Sequence, residues 1–128
     1  MIPSIELQRS VNNALKSGDY KVYDQFQQGV AMPFITIGEE TLLDISTKVE
    51  EITSHLITVH TWSKSISAKE VKEMNHFIKT SLIDAPLIVD GFVVLFSALD
   101  LNQTLKEQDG NSIVYHGITQ IEYRLQEV

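Results

Sequence analysis

Apolar residues recur at helical spacing near the start of the chain. Leu7, Val11, Ala14 and Leu15 follow Pro3-Ser4, and the polar run Ser17-Gly18-Asp19 closes the segment, which predicts a first helix. Tyr20 to Phe26 is short and mixed and reads as an edge strand, with Gln27-Gln28-Gly29 as loop. The pattern then changes. Phe34-Ile35-Thr36-Ile37 after Pro33 is rich in β-branched residues and continues past Gly38 towards Ile45, and Val49 to Trp62 reads as a second long strand after the polar break Ser46-Thr47-Lys48. The two form a hairpin. Strands of thirteen or fourteen residues exceed the usual ~5–6, so they either contain bulges or project as an arm. The arm is the favoured reading, because the distal part holds Glu39, Glu40, Asp44, Glu50 and Glu51 against Lys48 and few large apolar residues.

Ser67-Ala68-Lys69-Glu70 has the spacing of a capping box and should open a second helix, with Val71, Met74, Ile78 and Leu82 as its apolar stripe, joined by Phe77, and Pro86 as its stop. Asp90-Gly91 and Asp109-Gly110 each lie between runs rich in Val, Ile, Phe and Tyr. Such dipeptides supply the positive φ of tight hairpins, so they predict three consecutive antiparallel strands, Leu87 to Val89, Phe92 to about Thr104 and Ser112 to about Gln126. Phe92-Val93-Val94-Leu95-Phe96 is apolar on both faces and should lie centrally; Ile113, Tyr115, Ile121, Tyr123 and Leu125 alternate with polar residues, so the last strand should have one wet face. The expected fold is α+β in the order α-β-β-β-α-β-β-β: one domain over residues 1–128, a mainly antiparallel sheet with two helices on one face and a long projecting hairpin.

Length and composition narrow the function classes. A chain of 128 residues and 14.5 kDa should bury about two thirds of its unfolded surface in one core. The net charge of −7 and pI near 4.9 argue against binding duplex DNA through phosphate contacts and favour solubility. Without cysteine, thiolate catalysis, disulfides and cysteine-based zinc sites are excluded. The opening Met-Ile-Pro-Ser-Ile-Glu has no basic region followed by an apolar stretch, and no run reaches the ~18 apolar residues that span a bilayer. The expected protein is made in the cytoplasm, needs no membrane and can still enter an extracellular particle.

Candidate chemistry is sparse. His55 and His60 are five residues apart on one strand, an odd separation that sends them to opposite faces. Glu73 and His76 have the Glu-x-x-His spacing of di-metal bundles but lack the second pair and further carboxylates that this chemistry requires. His116 should face outward with Val114 and Ile118, and Gly117 beside it suggests a bulge or the close approach of another backbone. Ser63, Ser65 and Ser67 have no nucleophile elbow around them, and the six glycines form no phosphate loop. Glu39-Glu40 and Glu50-Glu51 are like charges at a solvated tip. Trp62 leans towards an interface: Ile57, Val59 and Thr61 share one strand face, which puts Thr58, His60 and Trp62 on the other.

Several segments together resemble the tail completion, or tail-to-head joining, proteins of long-tailed bacteriophages and prophages. They are Ile2-Pro3-Ser4-Ile5-Glu6-Leu7-Gln8, Val22-Tyr23-Asp24 with Pro33-Phe34-Ile35-Thr36-Ile37-Gly38-Glu39, and Ile57-Thr58-Val59-His60-Thr61-Trp62-Ser63, followed by Asp84-Ala85-Pro86-Leu87, Asp109-Gly110, Tyr115-His116-Gly117-Ile118 and the terminal strand. Ile45 to Ser54 departs from the family pattern. The resemblance implies a tail-terminator-like structural protein without enzymatic activity or cofactor. It implies a ring, six-fold by analogy, between the tail tube protein and the head connector or stopper, at the head–tail interface of the virion. The chain can be monomeric before it assembles, and DNA passes through the lumen without specific binding. Under this reading Glu39, Glu40, Asp44, Lys48, Glu50, Glu51, His60 and Trp62 are the candidate subunit or partner interface, with no catalytic, cofactor or metal residues.

Two other readings remain open on the residues themselves. A small α+β ligand-binding or enzymatic domain would have a pocket between helix and sheet using Tyr115 and His116, with convergent polar groups and a perturbed histidine. An adaptor outside any phage would keep the interface and change the partner.

Overall fold

The computed structural model describes all 128 residues. In chain order the elements are α1 (Pro3–Lys16), β1 (Lys21–Tyr23), β2 (Phe34–Asp44), β3 (Ile52–Ser63), α2 (Lys69–Lys79), a π-helical turn (Thr80–Asp84), β4 (Phe92–Asp109) and β5 (Ser112–Glu127). The five strands form one sheet in the order β1-β2-β3-β5-β4, parallel at β1–β2 and antiparallel elsewhere. The α+β class is as expected. No helix is long and apolar enough to cross a membrane.

Both helices cover one face of the sheet because each buries a single stripe. Leu7, Val11 and Leu15 of α1 and Met74 and Ile78 of α2, with Leu82 of the π turn, close on Ile35, Ile37, Ile57, Val59, Ile121, Tyr123 and Leu125. The strand members lie on one face by parity, as register pairs such as Ile57↔Ile121 and Ile37↔Val59 require. The buried Tyr123 hydroxyl donates to the Leu82 carbonyl at 2.7 Å, which ties the π turn to the middle of the sheet. Burial holds that phenol above its usual pKa and therefore protonated.

Four expectations need correction. Leu87 to Val89 forms no strand, so the run after α2 has two strands rather than three. Asp90-Gly91 turns coil into β4, and Asp109-Gly110 joins β4 to β5, with φ of 81° at Gly91 and 62° at Gly110. The capping box does not form, because Glu70 accepts a 2.5 Å hydrogen bond from Ser63 at the end of β3 instead of reaching back to Ser67. Phe92–Phe96 is not central: β4 is the sheet edge, bulged between Val94 and Phe96 and again between Leu99 and Leu101. The wet-faced β5 lies inside it, between β3 and β4.

The β2–β3 hairpin is both bulged and largely integrated. Its register shifts between Ile37 and Glu40, while β3 pairs with β5 from Ile52↔Gln126 to Ser63↔Tyr115. Only the turn of residues 45–51 extends past the paired strands, so the projection is shorter than strand length alone suggests. Gly117 marks a close approach rather than a bulge. A Cβ there would lie 2.1 Å from Thr61 Oγ1 and 2.3 Å from Asn75 Oδ1. Thr61 donates to Asn75 at 2.7 Å, and Asn75 donates to Asn102 at 3.1 Å, so a buried polar link seats α2 on the sheet.

Candidate functional site on the open sheet face

The face opposite the helices carries the side chains singled out around Trp62. Register places Trp62 between Phe34 of β2 and His116 of β5, and His60 between Thr36 and Ile118. The Trp62 indole stacks on the His116 ring, with centroids 3.8 Å apart and planes inclined by 11°. Its Nε1 donates to Thr36 Oγ1 at 3.1 Å, and the Phe26 ring packs edge-on at 4.8 Å.

Beneath the indole a chain of polar groups crosses four strands. His60 Nδ1 and His116 Nε2 are 2.7 Å apart, and His116 Nδ1 is 2.8 Å from Glu107 Oε1 on β4. At the other end Glu39 Oε1 of β2 lies 3.6 Å from His60 Nε2. The imidazole contact can hold one proton, so one of its two nitrogens must be bare. Burial lowers the pKa of His60, His116 adds to the shift, and Glu39 and Glu107 oppose it. Neither imidazole bonds to a serine or threonine hydroxyl in this chain, so the arrangement lacks an activated nucleophile. What it can do is fasten strands together on a face with no helix over it.

The predicted site residues fall into three places. Glu39 joins His60 and Trp62, whereas Glu40 is carried by the bulge to the helix side, where its Oε2 lies 2.6 Å from Nδ1 of the buried His55. Asp44, Lys48, Glu50 and Glu51 lie at the far end of the sheet, on the turn. There the Asp44 carboxylate accepts from the Ser46 N–H at 2.9 Å, and hydrogen bonds from Ser46 hold it below its usual pKa. Thr47 Oγ1 accepts from Glu50 N at 3.1 Å. Apolar Leu42, Leu43, Ile45 and Val49 are exposed around these acids.

Sequence reasoning missed Glu107, Thr36 and Phe26 as parts of the Trp62 cluster. Parity flagged the faces of His60 and His116, but no local signal reports that residues 56 apart touch. Tyr115 and His116 point to opposite faces, as neighbours in a strand must. The cavity at the seam of α1 and the sheet, against Val11, Ile37 and Ile57, is about 30 Å³, room for roughly one water. That seam does not offer the substrate pocket of the ligand-binding reading.

A family model described as tail completion protein gp17 matches residues 8–126. Among solved structures, a chain of the virion of a native gene transfer agent particle is similar over 97% of this chain and 97% of its own, with a TM-score of 0.83 and 15% identity. The gp17 protein of bacteriophage SPP1 is similar over 94% of this chain and 88% of its own, with a TM-score of 0.60 and 21% identity. No curated protein matches the chain. Sequence likeness over residues 8–126 and the shared fold lead to one conclusion: the chain belongs to the gp17 family of phage tail completion proteins, structural components of the virion tail.

Proposed function

We propose that the protein closes the tail tube as a six-fold ring of its own copies and presents the surface on which the DNA-filled head docks, without enzymatic activity. The observation that carries this reading is the outer edge of β4. This 18-residue strand is unpaired on one side and exposes Val93, Leu95, Phe96, Leu99 and Leu101. Two bulges and a few charges interrupt this edge, yet its apolar side chains stay uncovered, a patch that an isolated monomer gains nothing by exposing. An assembling subunit leaves it for a neighbour. The net charge of −7 also suits a channel through which DNA slides without sticking.

The test is negative-stain imaging of the purified protein mixed with tail tubes lacking their terminator. Rings at one tube end, followed by head attachment, are expected. Bare tubes beside a folded, monodisperse protein would overturn the proposal.

A further inference from the structure

The hydrogen bonds beneath Trp62 leave one way to place their protons. Ionised Glu107 only accepts, so His116 Nδ1, 2.8 Å from its Oε1, carries the hydrogen. Neutral His116 is then bare at Nε2 and accepts from His60 Nδ1–H at 2.7 Å. Neutral His60 is in turn bare at Nε2, the nitrogen that faces the Glu39 carboxylate at 3.6 Å. A first added proton fits there. A second must go on His116 Nε2, where it meets the hydrogen of His60 Nδ1 and sets two cations in contact.

The charges around the pair favour its parting. Glu39 of β2 stands at one end of the chain of groups and Glu107 of β4 at the other, so two imidazolium rings are drawn in opposite directions. The remaining charges are engaged elsewhere: Glu40 is bonded to His55 on the helix side, Lys106 lies over the Tyr115 ring, and Lys64 is 3.7 Å from Asp109.

The loop of residues 24–33 between β1 and β2 depends on this contact. Its charge is limited to Asp24 at its start, and it makes no hydrogen bond to the rest of the chain; its side-chain bond runs internally from Gln27 to the Gln25 carbonyl. Phe26 anchors it, edge-on to Trp62 at 4.8 Å and 5.5 Å from Phe34. Trp62 in turn lies flat on His116. A groove of about 540 Å³ is lined by this loop, Trp62 and the end of the β4–β5 hairpin, which gives the loop room to move.

We propose that the histidine pair is an acid-sensitive latch: once both rings are charged, each turns to its own carboxylate, Trp62 loses its stack, and the loop of residues 24–33 lifts from the open face. Nuclear magnetic resonance on the full chain tests this. At pH 7 the ring nitrogens of His60 and His116 should both show the Nδ1–H tautomer. Between about pH 6.5 and 4.5, backbone order parameters of residues 25–32 should fall from the ~0.85 of a rigid backbone to below ~0.6, while β3 and β5 amides keep their dispersion. His60→Gln, which can bond His116 without taking a charge, should keep the loop ordered through that range. Phe26→Ala should loosen it already at pH 7. An Nε2–H tautomer at His116, or a wild-type loop that stays ordered or loosens only together with the whole sheet, overturns the latch. So does a loop that loosens equally in His60→Gln or is unmoved by Phe26→Ala.

Discussion

The two faces of the sheet solve the same problem differently. On the helix side, Ile57, Val59, Ile121 and Leu125 are almost wholly buried and hold by displaced water and close packing. On the open side there is no second layer, and the strands are fastened by Trp62, by the Glu39–His60–His116–Glu107 chain and by Arg124, whose guanidinium lies over Phe96 at 4.6 Å. One set of strands supplies both, because alternate residues face opposite ways. The covered face should therefore set stability, while the open face sets register and leaves surface for assembly.

The sharpest way to break this contrast is to cut one side chain on each face. Ile121→Ala removes a fully buried branched chain and should cost about 2–5 kcal/mol in denaturant unfolding. Trp62→Ala takes away a larger but partly exposed side chain and should cost roughly 1–3 kcal/mol, below the ~3–5 kcal/mol of a fully buried aromatic. Equal losses, or a larger one for Trp62→Ala, would show that the open face is a second core.

Acidity probes the open face through His60. His60 is held below its ordinary pKa of about 6.5, so as pH falls the unfolded chain takes up the proton first. The stability contributed by neutral His60 is complete above about pH 6.5 and drains away as pH drops through the lowered folded-state value. Melting temperature should fall between pH 7 and 5, with a change in emission from the single tryptophan stacked in the cluster. His60→Gln should flatten that fall. Glu122, whose pKa is lowered by hydrogen bonds from Arg124 and Ser54, adds a separate loss only as pH enters the carboxylate range. A pH 7-to-5 profile unchanged by His60→Gln would place the sensitivity elsewhere.

The smallest expected effect lies where the covered face is imperfect. Thr119 Oγ1 is buried without a hydrogen-bond partner in the chain, so Thr119→Val removes an unsatisfied group at similar volume. It should be neutral or stabilise by up to about 1 kcal/mol, read from the shift in urea midpoint. Destabilisation would mean that the hydroxyl is bonded after all.

Much of the covered face was legible from pattern. The stripes of α1 and α2 and the parity of Ile57, Val59 and Thr61 follow from local geometry, as does the outward aim of His60 and Trp62. The Ser67 cap failed because Ser63, displayed at the end of β3, competes for Glu70. The central position given to Phe92–Phe96 failed for a different reason. Two apolar faces signal burial, and here Phe92 and Val94 meet the core while Val93, Leu95 and Phe96 stay exposed on a sheet edge that, on the proposed function, another copy covers.

The sequence by itself determined what each short segment does: where helices start, which turns need Gly91 and Gly110, and which residues alternate to which face. These depend on φ, ψ and side-chain period within a few residues. Tertiary structure alone decided that β5 sits between β3 and β4, that Asn75 descends onto Gly117, and that His60 meets His116 while Glu40 turns away to His55. Those choices follow from register between distant strands and from one bulge, and register is fixed by packing both helices on one face at once.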